Sequence, residues 1–232
     1  MVPPSTFFVF KTSGVPSGSS LVDLTATAAF AVKDMVFVTW HAHTEGGRNS
    51  GSYNLNVGGP LVGGSITAYK QVGIGQYEFT DRVDFFDADY HEVHAAVNDE
   101  TGNYEVFMAG QRAQTYSDYL LASHSGAVVT RIDYDYINDE FFEGSVREIP
   151  LPGNSVNDIV GAGKRIYVTT GNVSGGEGAV YELDRTLSNV NKQWVEDDYS
   201  GRALAIDNRS ATVNSAEVFW LGVDGSNGRL GQ

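Results

Sequence analysis

The densest run of potential ligands and proton carriers in the chain is Asp84-Phe85-Phe86-Asp87-Ala88-Asp89-Tyr90-His91-Glu92-Val93-His94. On an extended chain successive side chains alternate between faces, so Asp87 and Asp89 project the same way and offer oxygens to a hard cation such as Ca2+. The run lacks the oxygen-rich spacing and the glycine of an EF-hand loop. His91 and His94 lie three apart, on opposite faces of a strand, which keeps them from sharing one zinc ion. A second cluster, Trp40-His41-Ala42-His43-Thr44-Glu45, sets His41 and His43 on one face with Glu45 close by, the pattern of two imidazoles and one carboxylate. Polar residues entering the Gly46-Gly47 loop are equally well explained as solvated. Nucleophilic chemistry finds little support. There is no cysteine, no G-x-S-x-G elbow, and the glycine-rich segment from Gly171 to Gly176 joins two strands, so it has no helix N-terminus to cradle a phosphate.

The elements that must position these residues are strands, and they repeat. An apolar, β-branched and aromatic strand recurs as Met35-Val36-Phe37-Val38-Thr39-Trp40, as Glu105-Val106-Phe107-Met108-Ala109-Gly110, as Arg165 to Gly171, and as Glu217-Val218-Phe219-Trp220-Leu221-Gly222. Each is followed, beyond a polar loop, by a strand opening on glycine at Gly64, Gly126 or Gly178, and a last one starts at Gly228. A shorter strand of small residues precedes each unit, as in Thr25 to Phe30, Glu92 to Val97, Asn157 to Gly161 and Arg202 to Ile206. An alternating, half-exposed strand closes the unit, as in Tyr77 to Val83 and Gly144 to Ile149. Small inner strand, two apolar middle strands and amphipathic outer strand make one antiparallel blade. Repetition every ~50–70 residues predicts a β-propeller with three complete blades and a partial fourth over residues 24–232, behind a lead-in segment, 1–23, with one candidate strand at Phe7-Phe8-Val9-Phe10. A sandwich would not require the same strand pair four times.

The unit Gly163-Lys164-Arg165-Ile166-Tyr167-Val168-Thr169-Thr170-Gly171, followed by Gly178-Ala179-Val180-Tyr181-Glu182-Leu183-Asp184, resembles a blade of the LVIVD or YVTN-type propellers. The resemblance implies sheets wheeled about a channel, and says almost nothing of function, because propellers host many activities. At the channel mouth, alignment of the inner strands places Glu92, Asn157 and Arg202 at matching positions, with His94 and Asp158 alongside. These five residues form the expected binding site. Asp87, Asp89, His41 and His43 are the expected metal ligands, and Ca2+ is the cofactor they admit.

Composition narrows the partners. With 15 Lys and Arg against 29 Asp and Glu, the net charge is −14, which disfavours nucleic acid. No run of ~18 uncharged apolar residues spans a membrane. The reading these features support is a non-enzymatic propeller that docks a protein or glycan partner, exported by a bacterium to the periplasm or cell surface, although no signal peptide stands at Met1. An edge strand at Leu230 calls for a covering partner within a larger complex. The alternative is a propeller hydrolase or lactonase with a divalent cation held at the mouth by Glu92, Asn157 and Asp158.

Overall fold

The computed structural model describes residues 21–44, 48–49, 52–53, 62–85, 88–112, 126–153, 155–171, 178–196, 199–212, 215–224 and 227–231. Among the described residues seventeen strands run in chain order: β1 (Leu21–Val32), β2 (Met35–Thr44), β3 (Arg48–Asn49), β4 (Ser52–Tyr53), β5 (Val62–Gly73), β6 (Gln76–Phe85), β7 (Ala88–Val97), β8 (Tyr104–Arg112), β9 (Ala127–Asp135), β10 (Glu140–Leu151), β11 (Ser155–Ala162), β12 (Arg165–Gly171), β13 (Gly178–Asp184), β14 (Val190–Glu196), β15 (Tyr199–Thr212), β16 (Ser215–Asp224) and β17 (Asn227–Gly231). They form three four-stranded antiparallel sheets, β1-β2-β5-β6, β7-β8-β9-β10 and β11-β12-β13-β14, then a three-stranded sheet, β15-β16-β17, and the small β3-β4 ribbon. The fold is a β-propeller, with three whole blades and a fourth of three strands. The LVIVD or YVTN type does not stand. Among the described residues, packing runs from the first blade through the second and third to the fourth, and none of comparable extent joins the fourth to the first.

Each interface between blades is a layer of interdigitated side chains. Between the first and second, Phe37 from β2 meets Tyr104, Tyr134 and Phe141 in tilted and edge-on ring contacts. Such rings favour edge-to-face geometry because the positive edge of one lies against the negative face of another. Tyr134 is therefore core, and its hydroxyl donates to Thr80 at 2.8 Å. Phe107 fills the matching place between the second and third blades, with Ile159, Ile166 and Leu183. Tyr167, Val180 and Leu204 do so between the third and fourth.

The small residues of the inner strands are needed for close approach. A Cβ at Gly161 would lie 2.2 Å from Nε2 of His94, and one at Gly201 would lie 1.7 Å from Oγ1 of Thr169. The blades sit too near the axis there for any side chain.

Candidate functional site at the bulged inner strands

One irregularity recurs in all four inner strands. Ala26 pairs with Trp40 and Ala28 with Thr39, so Thr27 is skipped by the ladder. His91 is skipped between Tyr90 and Glu92, Asn157 between Val156 and Asp158, and Arg202 between Gly201 and Ala203. Each is a β-bulge, an extra residue that re-aims the side chains beside it and often stands near active sites. The register therefore equates Thr27, His91, Asn157 and Arg202, and, one residue on, Ala28, Glu92, Asp158 and Ala203. The sequence alignment that matched Glu92 with Asn157 and Arg202 is off by one residue in the second blade.

Two of the bulged residues tie neighbouring blades together. Thr27 Oγ1 donates to the Tyr90 carbonyl at 2.8 Å, and Asn157 Nδ2 donates to the Gly201 carbonyl at 2.6 Å. Tyr90 and Gly201 hold the same position, immediately before a bulge, so one latch is used twice. Arg202 is exposed. Asn157 thus serves the frame of the site, while Arg202 takes no part in a contact with Glu92 or Asp158.

Glu92 and Asp158 are brought together. Both are half-buried, and the charge of Asp158 reaches Glu92 across the interface between the second and third blades. Their hydrogen bonding differs sharply. Asp158 Oδ1 accepts from the backbone amide of Ile159 at 2.7 Å and Oδ2 from that of Leu204 at 2.6 Å. Ile159 and Leu204 are equivalent residues of adjacent inner strands, each at the edge of its sheet. Asp158 takes both of these amides, and Glu92 makes no hydrogen bond to any described residue.

The acidities follow. Burial, assisted by the Asp158 charge, pushes Glu92 up to about 7. Burial also raises Asp158, while the two amides pull it back. Glu92 is accordingly the member of the pair that keeps a proton near neutrality. His94 lies deeper on the same strand, against Phe30 with ring centroids 4.5 Å apart, and burial, with the positive charge of Arg185, lowers it to about 4. It is a neutral wall residue rather than a ligand at the mouth.

Asp89 is fully buried, and its Oδ2 lies 3.6 Å from Nε2 of His91, whose side chain is 30% exposed. From sequence His91 is only an imidazole unable to share a zinc ion with His94, because the bulge at this residue has no signature in residue type. Asp87 lies outside the described residues; His41 and His43 lie on β2, within which only their backbone is described. Among the described residues no group of three or more His, Asp or Glu is arranged to hold a metal ion. Of the trio expected to hold a divalent cation, both oxygens of Asp158 and the amide nitrogen of Asn157 are bonded to backbone groups.

A groove of about 590 Å³ lies at the other end of the inner strands, lined by the turns that follow β7 and β11. Its floor is Glu105, bound by Arg185 at 2.5 Å and Arg131 at 3.2 Å. Arg185 also donates to the carbonyls of Gly163 and Val97. These cations are engaged in clamping the second blade to the third.

No protein-family model matches the chain, and no curated protein does. Solved structures of similar shape include an exo-β-1,3-galactanase from Phanerochaete chrysosporium, solved with β-1,3-galactotriose, at 10% identity and TM-score 0.46, covering 89% of this chain and 48% of that one. A GH43 β-1,3-galactosidase follows at 12% identity and TM-score 0.45, covering 88% of this chain and 42% of that one. An exo-β-1,3-galactanase from Clostridium thermocellum has 7% identity and TM-score 0.43, covering 82% and 39%. The chain therefore spans less than half the length of these three structures. All three carry the names of enzymes, against the expectation of a non-enzymatic binding module, which is withdrawn.

Proposed function

We propose that this propeller is a hydrolase of glycosidic bonds in which Glu92 is the general acid. The observation that carries the reading is the unequal sharing of hydrogen bonds between Glu92 and Asp158. A carboxylic acid that is half-buried, without a hydrogen-bonding partner and next to a fixed anion keeps its proton near pH 7. From the inner strand it can deliver that proton to the oxygen of a departing alcohol as the bond from that oxygen to the anomeric carbon breaks, after which water adds at that carbon and returns a proton to the Glu92 carboxylate. Asp158, whose oxygens accept two backbone amides, raises Glu92 by its charge and offsets positive charge developing on the sugar ring. A glycoside is a substrate class that such a pair of carboxyl groups cleaves. The net charge of −14 favours a neutral sugar over an acidic one.

The test is hydrolysis of a panel of 4-nitrophenyl glycosides and of β-1,3-linked galactooligosaccharides by the wild-type protein and by Glu92→Gln. Turnover by the wild type, with a loss of about 10²–10⁴-fold in the variant, supports the reading. Turnover that Glu92→Gln leaves intact contradicts it.

A further inference from the structure

We infer that the fourth blade docks against the fourth blade of a second copy of this chain, across a two-fold axis at Phe219. The face of that blade turned away from the third is built like the faces that join the other blades. Register equates Phe37, Phe107, Tyr167 and Phe219, which pair with Phe30, His94, Val160 and Ala205. Phe37 packs into the second blade, Phe107 into the third and Tyr167 into the fourth. Among the described residues no blade stands before Phe219. On the same face Leu221 is 48% and Leu230 76% exposed, paired with each other across β16 and β17. Two charged residues complete the face. Arg202 is equivalent to Thr27 and Asn157, whose side chains both reach forward to the next blade, and it is exposed. Glu217 is equivalent to Glu105, whose carboxylate takes Arg185 from the next blade, and it is exposed as well.

The first blade is not the occupant. Its face away from the second blade carries Val38, Trp40 and Tyr69, which are 2%, 7% and 9% exposed. That face is already shielded, so neither closure of the ring on itself nor a head-to-tail copy can use it. A second copy can pair face to face, because the charges of this face are self-complementary. Arg202 stands between the partners of Gly222 and Leu221, near one end of β16, and Glu217 stands near the other. The level midway between them is that of Phe219 and Ala205. A two-fold axis across the strands at this level lays Phe219 of one copy against Phe219 of the other and brings each Arg202 over the opposite Glu217. Leu221 then interdigitates with the facing sheet, as side chains do where two sheets pack face to face. The charge of −14 on each copy repels at long range, and physiological salt screens that repulsion beyond about 8 Å without removing the contacts between paired ends. The pairing is independent of the hydrolase reading.

The experiment is sedimentation velocity of the whole chain over a concentration series at physiological salt, for the wild type, Leu230→Asp, Arg202→Glu, Glu217→Arg and the double variant Arg202→Glu with Glu217→Arg. The wild type is expected to sediment at twice the chain mass, and Leu230→Asp at the chain mass with an unchanged far-UV circular dichroism spectrum. Each single charge reversal should weaken the dimer by roughly tenfold or more, because a change in a two-fold interface counts twice. The double reversal restores opposite charges at both ends and should return the dissociation constant to within a few-fold of the wild type. A wild type that stays monomeric at every concentration overturns the inference, as does one that grows into species larger than a dimer. A double reversal weaker than either single one overturns the two-fold pairing. If Leu230→Asp does not fold, the three charge variants decide in the same way.

Discussion

Asn157 donates its side-chain amide to the carbonyl of Gly201 at 2.6 Å, from the one residue of its strand that the ladder skips to the residue before the corresponding skip in the next blade. Thr27 and Tyr90 repeat the relationship two interfaces earlier, between the first blade and the second. The bulges thus pin the first blade to the second and the third to the fourth, on either side of the interface across which Glu92 and Asp158 interact. Replacing Asn157 with Ala removes the bond and is expected to cost about 1 kcal/mol, read as a fall in the midpoint of urea unfolding. Gly201→Ala, whose Cβ would lie 1.7 Å from Thr169, is expected to cost several times more. Equal stability of the two variants would contradict the close approach of the blades.

Glu92 links stability to pH. Its acidity in the folded state, about 7, lies above the ordinary 4.5, so the contribution it makes as a neutral acid is complete below pH 4.5 and is lost as pH rises through 7. The group is half-exposed, which screens the effect to roughly 1–2 kcal/mol. Thermal melts from pH 5 to 9 should show the wild type losing stability relative to Glu92→Gln toward the alkaline end. Parallel curves would mean that Glu92 is ionised throughout.

His94 works in the opposite direction. Burial holds it near 4 against an ordinary 6.5, so the unfolded chain binds the extra proton between those values, and stability falls as pH drops from 6.5 to 4. The full effect is about 3 kcal/mol. His94→Phe should flatten this acid limb of the stability curve, and direct titration of the imidazole by NMR should find no protonation above pH 5.

Arg185 joins Glu105 of the second blade to the turn before β12, and Glu105 is buried. Arg185→Ala leaves that carboxylate with only Arg131 and Asn98 for support. The expected cost is about 2–4 kcal/mol, and Arg185→Ala with Glu105→Gln together should cost less than the sum of the two. Additive losses would show that the clamp is not shared.

The architecture was legible because its cause is local. Phe37, Phe107, Tyr167 and Phe219 each stand in a strand that must bury an aromatic face, and the repeat of that strand with its glycine-opened partner follows from pattern alone. The site was half legible. Glu92 and Asp158 were singled out by residue type, yet their pairing depends on bulges, which add one residue to a strand without changing its composition. For the same reason His91 and His94 could not be assigned faces by counting, and Asn157 was taken for a ligand when it is a latch. The unequal acidity of Glu92 and Asp158 was beyond the sequence, since it turns on which side chain captures the amides of Ile159 and Leu204.

The claim on which the account turns is that Glu92 supplies a proton to the leaving group, and its most direct measure is the dependence of rate on the leaving group. For Glu92→Gln, kcat/KM on glycosides of poorly acidic alcohols should drop by about 10²–10⁴-fold, while 2,4-dinitrophenyl glycosides, whose departure needs no proton, should be cleaved at close to the wild-type rate. A variant that loses activity to the same degree on both substrates, or that loses none on either, would contradict the assignment of Glu92 as the acid.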